Sequence, residues 1–409
     1  MSPDKINIIK NFSYLVITKG VDFIVPVLLL PYLVNILGIE QFGLLSFALA
    51  IGIYFSSMMQ YGYNISAVRA ISRVRDNKQS LSITFSELLI SSILICVFFS
   101  FCYLLLFSLE SIKNEFQLYL GVLFFILMQS LFPAWLFQGL EKMHYIALSN
   151  SVCKLLYLSA VYIFVNNSDD TYLVPLLQGL SWLLALIIAA YIIIKKNLTT
   201  FTMPSWVGIK ETYIHGWAAF VTQFAPTLYS NSMTFLLGVF HGNIVVGIFS
   251  AAIRVIEIIN AFAFLLINAA LPLLSRDMKL HKWLKNIMIS AGVGLTLLLF
   301  FSANWFVPIL FSEHNGQIIT LIKIASPMVA FVFIRLAYGP AYLMLIGREK
   351  KYLRIIFSNA LIGFILAWFL IPQGQANSAV YVMVLTSMLM MLFTLIGVRQ
   401  FRNNLEVEK

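Results

Sequence analysis

Charge is the scarcest property of this sequence: Asp, Glu, Lys and Arg together make up 11% of 409 residues, where an ordinary soluble domain carries about 25%. That shortage excludes a water-soluble globular domain. Acid is scarcer still than base, 17 residues against 27. Only three cysteines occur, Cys96, Cys102 and Cys153, and each lies inside an apolar run, so neither a disulfide framework nor a cysteine metal site is expected. They read as small core hydrophobes. A Walker A loop, an HExxH helix, a Gly-rich dinucleotide turn and a grouped Ser, His and Asp set are all missing, which argues against nucleotide-driven transport by this chain and against hydrolytic chemistry. Long polar loops are missing too, and none could fold as a separate domain.

What is present is hydrophobic length. Hydrophobic residues reach 60% and the mean hydropathy is +0.90, arranged as runs of about 20 apolar residues broken by short polar loops. Outer-membrane strands would instead alternate over about ten residues. The expected fold class is therefore an all-α integral membrane protein. Twelve spans are predicted near 11–37, 42–66, 84–108, 116–139, 144–166, 172–194, 213–240, 244–271, 286–311, 317–346, 353–372 and 376–398. The first run is far longer than the 7 to 15 residues of a cleavable signal, so it is expected to stay as the first span.

The loops set the orientation. Alternate loops carry Arg69, Arg73, Arg75 and Lys78, then Lys142, then Lys195, Lys196 and Lys210, then Arg276, Lys279, Lys282 and Lys285, then Arg348, Lys350, Lys351 and Arg354. The opposite loops hold Lys113 and Lys323. Basic residues gather on the cytoplasmic side of polytopic proteins, which predicts cytoplasmic N- and C-termini. The net charge of +10 then reflects topology, and no nucleic-acid partner is expected.

An internal repeat divides the chain. Gly38-x4-Gly43-x2-Ser46 recurs as Gly242-x4-Gly247-x2-Ser250, Ser72-Arg73 as Ser275-Arg276, Pro133-Ala134 as Pro340-Ala341, and Gly139-x-Glu141-Lys142 as Gly347-x-Glu349-Lys350. The order is kept and the offset is nearly constant, as duplication of a six-helix unit requires. The predicted organisation is an N-terminal six-helix lobe at 1–194, a cytoplasmic linker at 195–210 and a C-terminal six-helix lobe at 211–409. Two parallel copies would be related by an axis along the membrane normal and would leave a central cavity between the lobes.

Charges inside the spans are the candidate functional residues. Lys19 and Asp22 lie in the first span with Pro26 one turn on, Arg254 and Glu257 repeat their i, i+3 spacing in the eighth, Lys154 lies in the fifth and Arg335 in the tenth. Each would cost about 2.5 to 3.5 kcal/mol at the bilayer centre on the insertion scale, so most must face a polar interior. Lys19, Arg254 and Arg335 suit an anionic group such as a pyrophosphate, since the guanidinium fork matches phosphate oxygens in pairs. Asp22 and Glu257 suit charge pairing with these cations, or ion coupling through H+ or Na+. Plainer readings stand beside these: helix-locking ion pairs, and snorkelling of Arg335 and Lys154 to the surface. Tyr61, Tyr63 and Asn64 mark a candidate cytoplasmic entrance, and Gln223, Tyr229, Asn231 and Asn260 are candidates for sugar hydroxyls or for links between helices.

Three stretches suggest a family. LPYLVNILGIEQFGLLSFALAI (30–51), YGYNISAVRAISRVRDNK (61–78) and PAWLFQGLEKMHYIALSN (133–150) resemble the bacterial O-antigen flippases of the Wzx type, in a superfamily with multidrug and toxin extrusion transporters and lipid II flippases. The resemblance implies two six-helix bundles that move an undecaprenyl-pyrophosphate-linked oligosaccharide across the inner membrane by alternating access, with no cofactor. Its implied partners are that lipid-linked substrate, membrane lipids, and the polymerase and chain-length regulator of the same route. It places Lys19 and Arg254 at the pyrophosphate, with Arg335 third; Asn64 joins them as a candidate substrate-binding residue of the cavity by its own position. A cation exporter of the related extrusion family is the first competing reading, because Asp22 near Pro26 fits an acidic cleft. A polymerase acting on the same lipid carrier is the second, and it usually needs a larger catalytic loop than any here.

Overall fold

The computed structural model describes the backbone over residues 3–274 and 278–407, and side chains from Gly20 to Gln400 except at 22–23, 225–226, 229–230, 269, 272–273, 275–277 and 279. All regular structure among these residues is helical. In order the α-helices are α1 (Pro3–Gln60), α2 (Ser66–Val74), α3 (Lys78–Leu104), α4 (Glu110–Lys113), α5 (Phe116–Leu131), α6 (Ala134–Gly139) and α7 (Met143–Phe164). There follow α8 (Leu173–Lys195), α9 (Trp206–His241), α10 (Asn243–Leu274), α11 (His281–Leu310), α12 (Asn315–Ala325), α13 (Pro327–Tyr338) and α14 (Glu349–Val407).

Two of these helices are too long for one crossing. At 1.5 Å per residue the 58 residues of α1 and the 59 of α14 would each run to nearly 90 Å, about three times a hydrocarbon core. Each contains a break: Gly38 at φ 76° in α1 and Gln375 at φ 53° in α14. Nine candidate spans are found among the described residues, and two of them contain these breaks. Splitting each of the two, and counting the 36-residue α9, brings the crossings to the twelve expected from the apolar runs. Gly38, at φ 76° and ψ 163°, adopts a conformation that costs a residue with a Cβ about 1 to 3 kcal/mol. Its repeat partner Gly242, at φ 81°, does the same work between α9 and α10.

The chain packs into two compact units, residues 1–29 with 48–227, and residues 30–47 with 228–409. These boundaries differ from a cut at 195–210, so the packing units and the repeated sequence halves are separate partitions of the chain.

In the first unit α5 packs on α8, α8 on α7, and α2 on α6. Ala67, Ile71, Leu136 and Phe137 are fully buried where α2 meets α6, and the Ser72 hydroxyl donates to the Gly139 carbonyl at 3.3 Å. The segment after α8 lies along α3: the Thr202 amide donates to Ser86 Oγ at 2.8 Å and the Thr200 amide to Ser82 Oγ at 3.2 Å. Beyond the membrane-spanning helices, Arg75 pairs with Glu141, whose carboxylate raises the guanidinium pKa. The early part of α9 belongs here. Tyr61 stacks on Phe220 with ring centroids 5.1 Å apart and donates to the Tyr213 carbonyl.

In the second unit α11 packs on α13, α13 on α14, and α10 on α12 and α13. Asn35 clamps the end of α11: its amide nitrogen donates to the Leu310 carbonyl and its oxygen accepts from the Ser312 amide, both at 2.9 Å. Asn359 and Thr386, both fully buried, tie the two limbs of α14 by a 2.8 Å bond from the amide to the Thr386 carbonyl.

Candidate functional site

The first half of α10 is densely covered. From Val246 to Ile256 every residue is buried except Arg254. Arg254 and Glu257 break the cover together, with side chains about half exposed at 50% and 53%, and the guanidinium donates to the carboxylate at 3.2 Å. Arg254 lies eleven residues past the start of the helix, about 17 Å along it, and therefore deep in the span. A stretch packed on almost every side presents little surface to lipid, so a charged pair opening from it fits a water-filled space better than the bilayer. The i, i+3 spacing makes the pair. Ser250, one turn earlier, continues the stripe with a buried hydroxyl that has no hydrogen-bond partner among the described residues.

The other charges separate into different situations. The side chains of Lys19 and Asp22, and of Tyr229, lie outside the described residues. Arg335, on α13, is engaged within its own unit: it donates to the Tyr352 hydroxyl at 3.0 Å, and Tyr352 is buried in a cluster with Leu343 and Val398. Nearby, buried His281 bonds the Ala337 carbonyl at 2.9 Å and packs against the Tyr342 ring. Lys154 is half-buried on α7. Asn231 is buried on α9, and Asn260, on α10, has a buried side-chain oxygen with no partner among the described residues.

Asn64 belongs to a cavity inside the first unit. The cavity has a volume of about 170 Å³ and is walled by Trp135, Trp182, Tyr63 and Phe132, with Gln60, Asn64, Gln129, Ser130 and Asn150 supplying the polar groups. Its amides are ordered: Asn64 donates to Gln60, Gln60 donates to Ser56 Oγ at 3.0 Å, and Ser56 donates to Gln129 Oε1 at 3.3 Å. Residues 56 and 60 lie one turn apart at the end of α1 and share a face, and the turn that follows, with positive φ at Tyr61 and Gly62, brings Asn64 back against Gln60. Tyr63 turns its hydroxyl away to Ser91 at 2.9 Å and offers only its ring. Tyr63 and Asn64 are the members of this set that stood out in the sequence. Gln129, Ser130 and Asn150 carry a readable signal, small polar groups inside predicted spans, whereas Trp135 and Trp182 are indistinguishable from packing aromatics until the helices are assembled.

Comparison with known proteins supplies the context. The family described as "Polysaccharide biosynthesis protein" matches residues 8–278. A protein of Escherichia coli (strain K12) named "Putative O-antigen transporter" is 25% identical over 98% of both chains, and one of the same name from Shigella dysenteriae is 25% identical over 95% of this chain and all of its own. Among solved structures, the lipid II flippase MurJ in an inward closed conformation matches with a TM-score of 0.71 at 12% identity, covering 96% of this chain and 87% of that one. An inward-facing MATE family multidrug resistance transporter of the MOP superfamily matches with a TM-score of 0.64 at 13% identity, covering 94% and 99%. At such identities these two structures establish the fold.

Proposed function

Because the chain belongs to the polysaccharide biosynthesis protein family, with the multi-pass fold of the MOP superfamily transporters, we propose that it is a flippase for lipid-linked saccharides. Its substrate on this reading is an undecaprenyl-pyrophosphate-linked repeat unit of O-antigen or a related polysaccharide. It carries the unit by alternating access from the cytoplasmic to the periplasmic leaflet of the bacterial inner membrane, with both termini cytoplasmic. The polyprenyl tail can stay in lipid throughout. The pyrophosphate and sugars cannot, because each polar group stripped of water in hydrocarbon costs several kcal/mol.

The observation that carries the proposal is the Arg254–Glu257 pair, opening at the end of the buried stretch 246–256 of α10. Arg254 and Lys19 bind the pyrophosphate, with Arg335 as a third cation when Tyr352 releases it, and Asn64 meets the saccharide. Glu257 and Asp22 neutralise the cations when the site is empty, or carry the H+ or Na+ that drives the cycle. The polymerase and chain-length regulator of the route would receive the units on the far side. A cation exporter on the same fold would bind its substrate through the two acids and leave Arg254 without a role.

A strain deleted for this gene separates these readings. Loss of surface polymer, with intact lipid-linked units accumulating on the cytoplasmic face, supports the flippase. Absence of the units, or unpolymerised units in the periplasmic leaflet, contradicts it.

A further inference from the structure

We infer that the cavity between Trp135, Trp182, Gln129 and Asn150 in the first unit is a sugar subsite, taking one uncharged monosaccharide residue of the lipid-linked head group. The inference rests on the lipid-linked saccharide reading above and adds to it where the head group is held and what kind of sugar fits.

Three features of the cavity lead there. Among the described residues its lining carries no Asp, Glu, Lys, Arg or His, so neither a pyrophosphate nor a cationic drug would find a counter-charge in them. Amides and hydroxyls instead match the donors and acceptors of a sugar ring. The aromatic walls are fixed in advance: Trp182 sits edge-on to Phe132 at 5.6 Å between centroids, and Trp135 lies 5.9 Å from Phe85. An indole face is electronegative and apolar, which suits the C–H face of a pyranose, and a wall that is already ordered loses little entropy on binding.

The third feature is unfinished hydrogen bonding. Ser130 is 7% exposed, and its Oγ has no partner among the described residues; neither has the buried Oδ1 of Asn150. Both residues line the cavity. A buried polar atom left without a partner costs about 1 to 3 kcal/mol, and sugar hydroxyls donating to Asn150 Oδ1 and to Ser130 Oγ would remove that cost. The volume of about 170 Å³ falls below the roughly 300 to 1,000 Å³ of sites for drug-sized ligands. It corresponds to about six waters at roughly 30 Å³ each, in keeping with one sugar residue and too small for a whole repeat unit.

The test uses the full chain in nanodiscs, followed by its tryptophan fluorescence. It is titrated separately with neutral methyl hexosides, N-acetylhexosamines, tetraphenylphosphonium and inorganic pyrophosphate. A saturable change with at least one neutral sugar is expected, weakened at least about tenfold by Asn150→Leu and by Trp182→Leu, while pyrophosphate binding stays within about twofold. Asn150→Gln and Trp182→Phe, which keep an amide and a ring, should recover most of the binding. No response to any neutral sugar, an unchanged affinity in the leucine variants, or conservative variants as weak as the leucine ones would overturn the inference. A deletion strain that still moves its lipid-linked units across the membrane would overturn the flippase reading instead, whatever the titrations give.

Discussion

Gly43 and Gly247 approach so closely that neither position has room for a side chain. A Cβ on Gly43 would lie 2.7 Å from the Gly247 backbone nitrogen and would collide with the Asn243 carbonyl oxygen, and a Cβ on Gly247 would collide with the Ile39 carbonyl oxygen. The two glycines hold the same place in the repeated Gly-x4-Gly-x2-Ser motif. Within the second unit, then, the two copies of the motif pack on each other reciprocally, backbone to backbone, as small residues allow between membrane helices. Gly43→Ala and Gly247→Ala should each destabilise by about 1 to 3 kcal/mol, the usual cost of overpacking. Gly294→Ala, with nothing within 4 Å of the added carbon, should be neutral or stabilising by up to about 1 kcal/mol, because alanine is the better helix former. Thermal melting of the detergent-solubilised variants orders the three.

Gly38 and Gly242 have space around them but a left-handed backbone, at φ 76° and 81°. Here the cost of substitution is conformational. Gly242→Asn should be milder than Gly242→Val, by about 1 kcal/mol or more, since asparagine tolerates this region and β-branched residues do not. The same melting assay reads the difference; equal losses for both would mean that sterics, and not φ, set the cost.

Arg254→Ala should lower polymer display about ten- to a hundredfold, the loss of one charge-assisted interaction worth about 1.5 to 3 kcal/mol. The amount of protein in the membrane should not change, because the side chain is half exposed. Arg254→Lys should restore part of the display, keeping the charge but losing the planar fork. Full display by Arg254→Ala at normal protein levels would remove the residue from the mechanism.

The segment joining α8 to α9 is held on α3 through serines. Ser86→Ala removes the acceptor of the Thr202 amide and should cost about 1 kcal/mol. Limited proteolysis should then cut within residues 197–205 faster than in the parent, and adding Ser82→Ala, which removes the acceptor of the Thr200 amide, should increase the rate further.

Much of the fold was legible because bilayer thickness and backbone hydrogen bonding leave so few options: each apolar run long enough to cross became a helix. The breaks were legible too, through Gly38 and Gly242 in matching motifs. Packing partners were not, since an apolar helix face in lipid carries no mark of which neighbour it meets. Nothing in the run 30–47 announces that it packs with residues 228–409. The spacing of Arg254 and Glu257 foretold their pairing, whereas the bond from Arg335 to Tyr352, 17 residues on, depends on a turn geometry that spacing does not reveal. The cavity beside Asn64 draws its lining from separate stretches between residues 60 and 182, and only assembly brings them together.

The most direct measurement is translocation by the purified chain. Proteoliposomes loaded with an extracted lipid-linked repeat unit are treated with a membrane-impermeant oxidant of sugars, and the protected fraction is followed in time. With the protein present, units from the inner leaflet should become accessible, and with Arg254→Ala they should remain protected as in protein-free vesicles. Protection that persists with the unmodified protein, under an imposed H+ or Na+ gradient of either direction, would contradict the account.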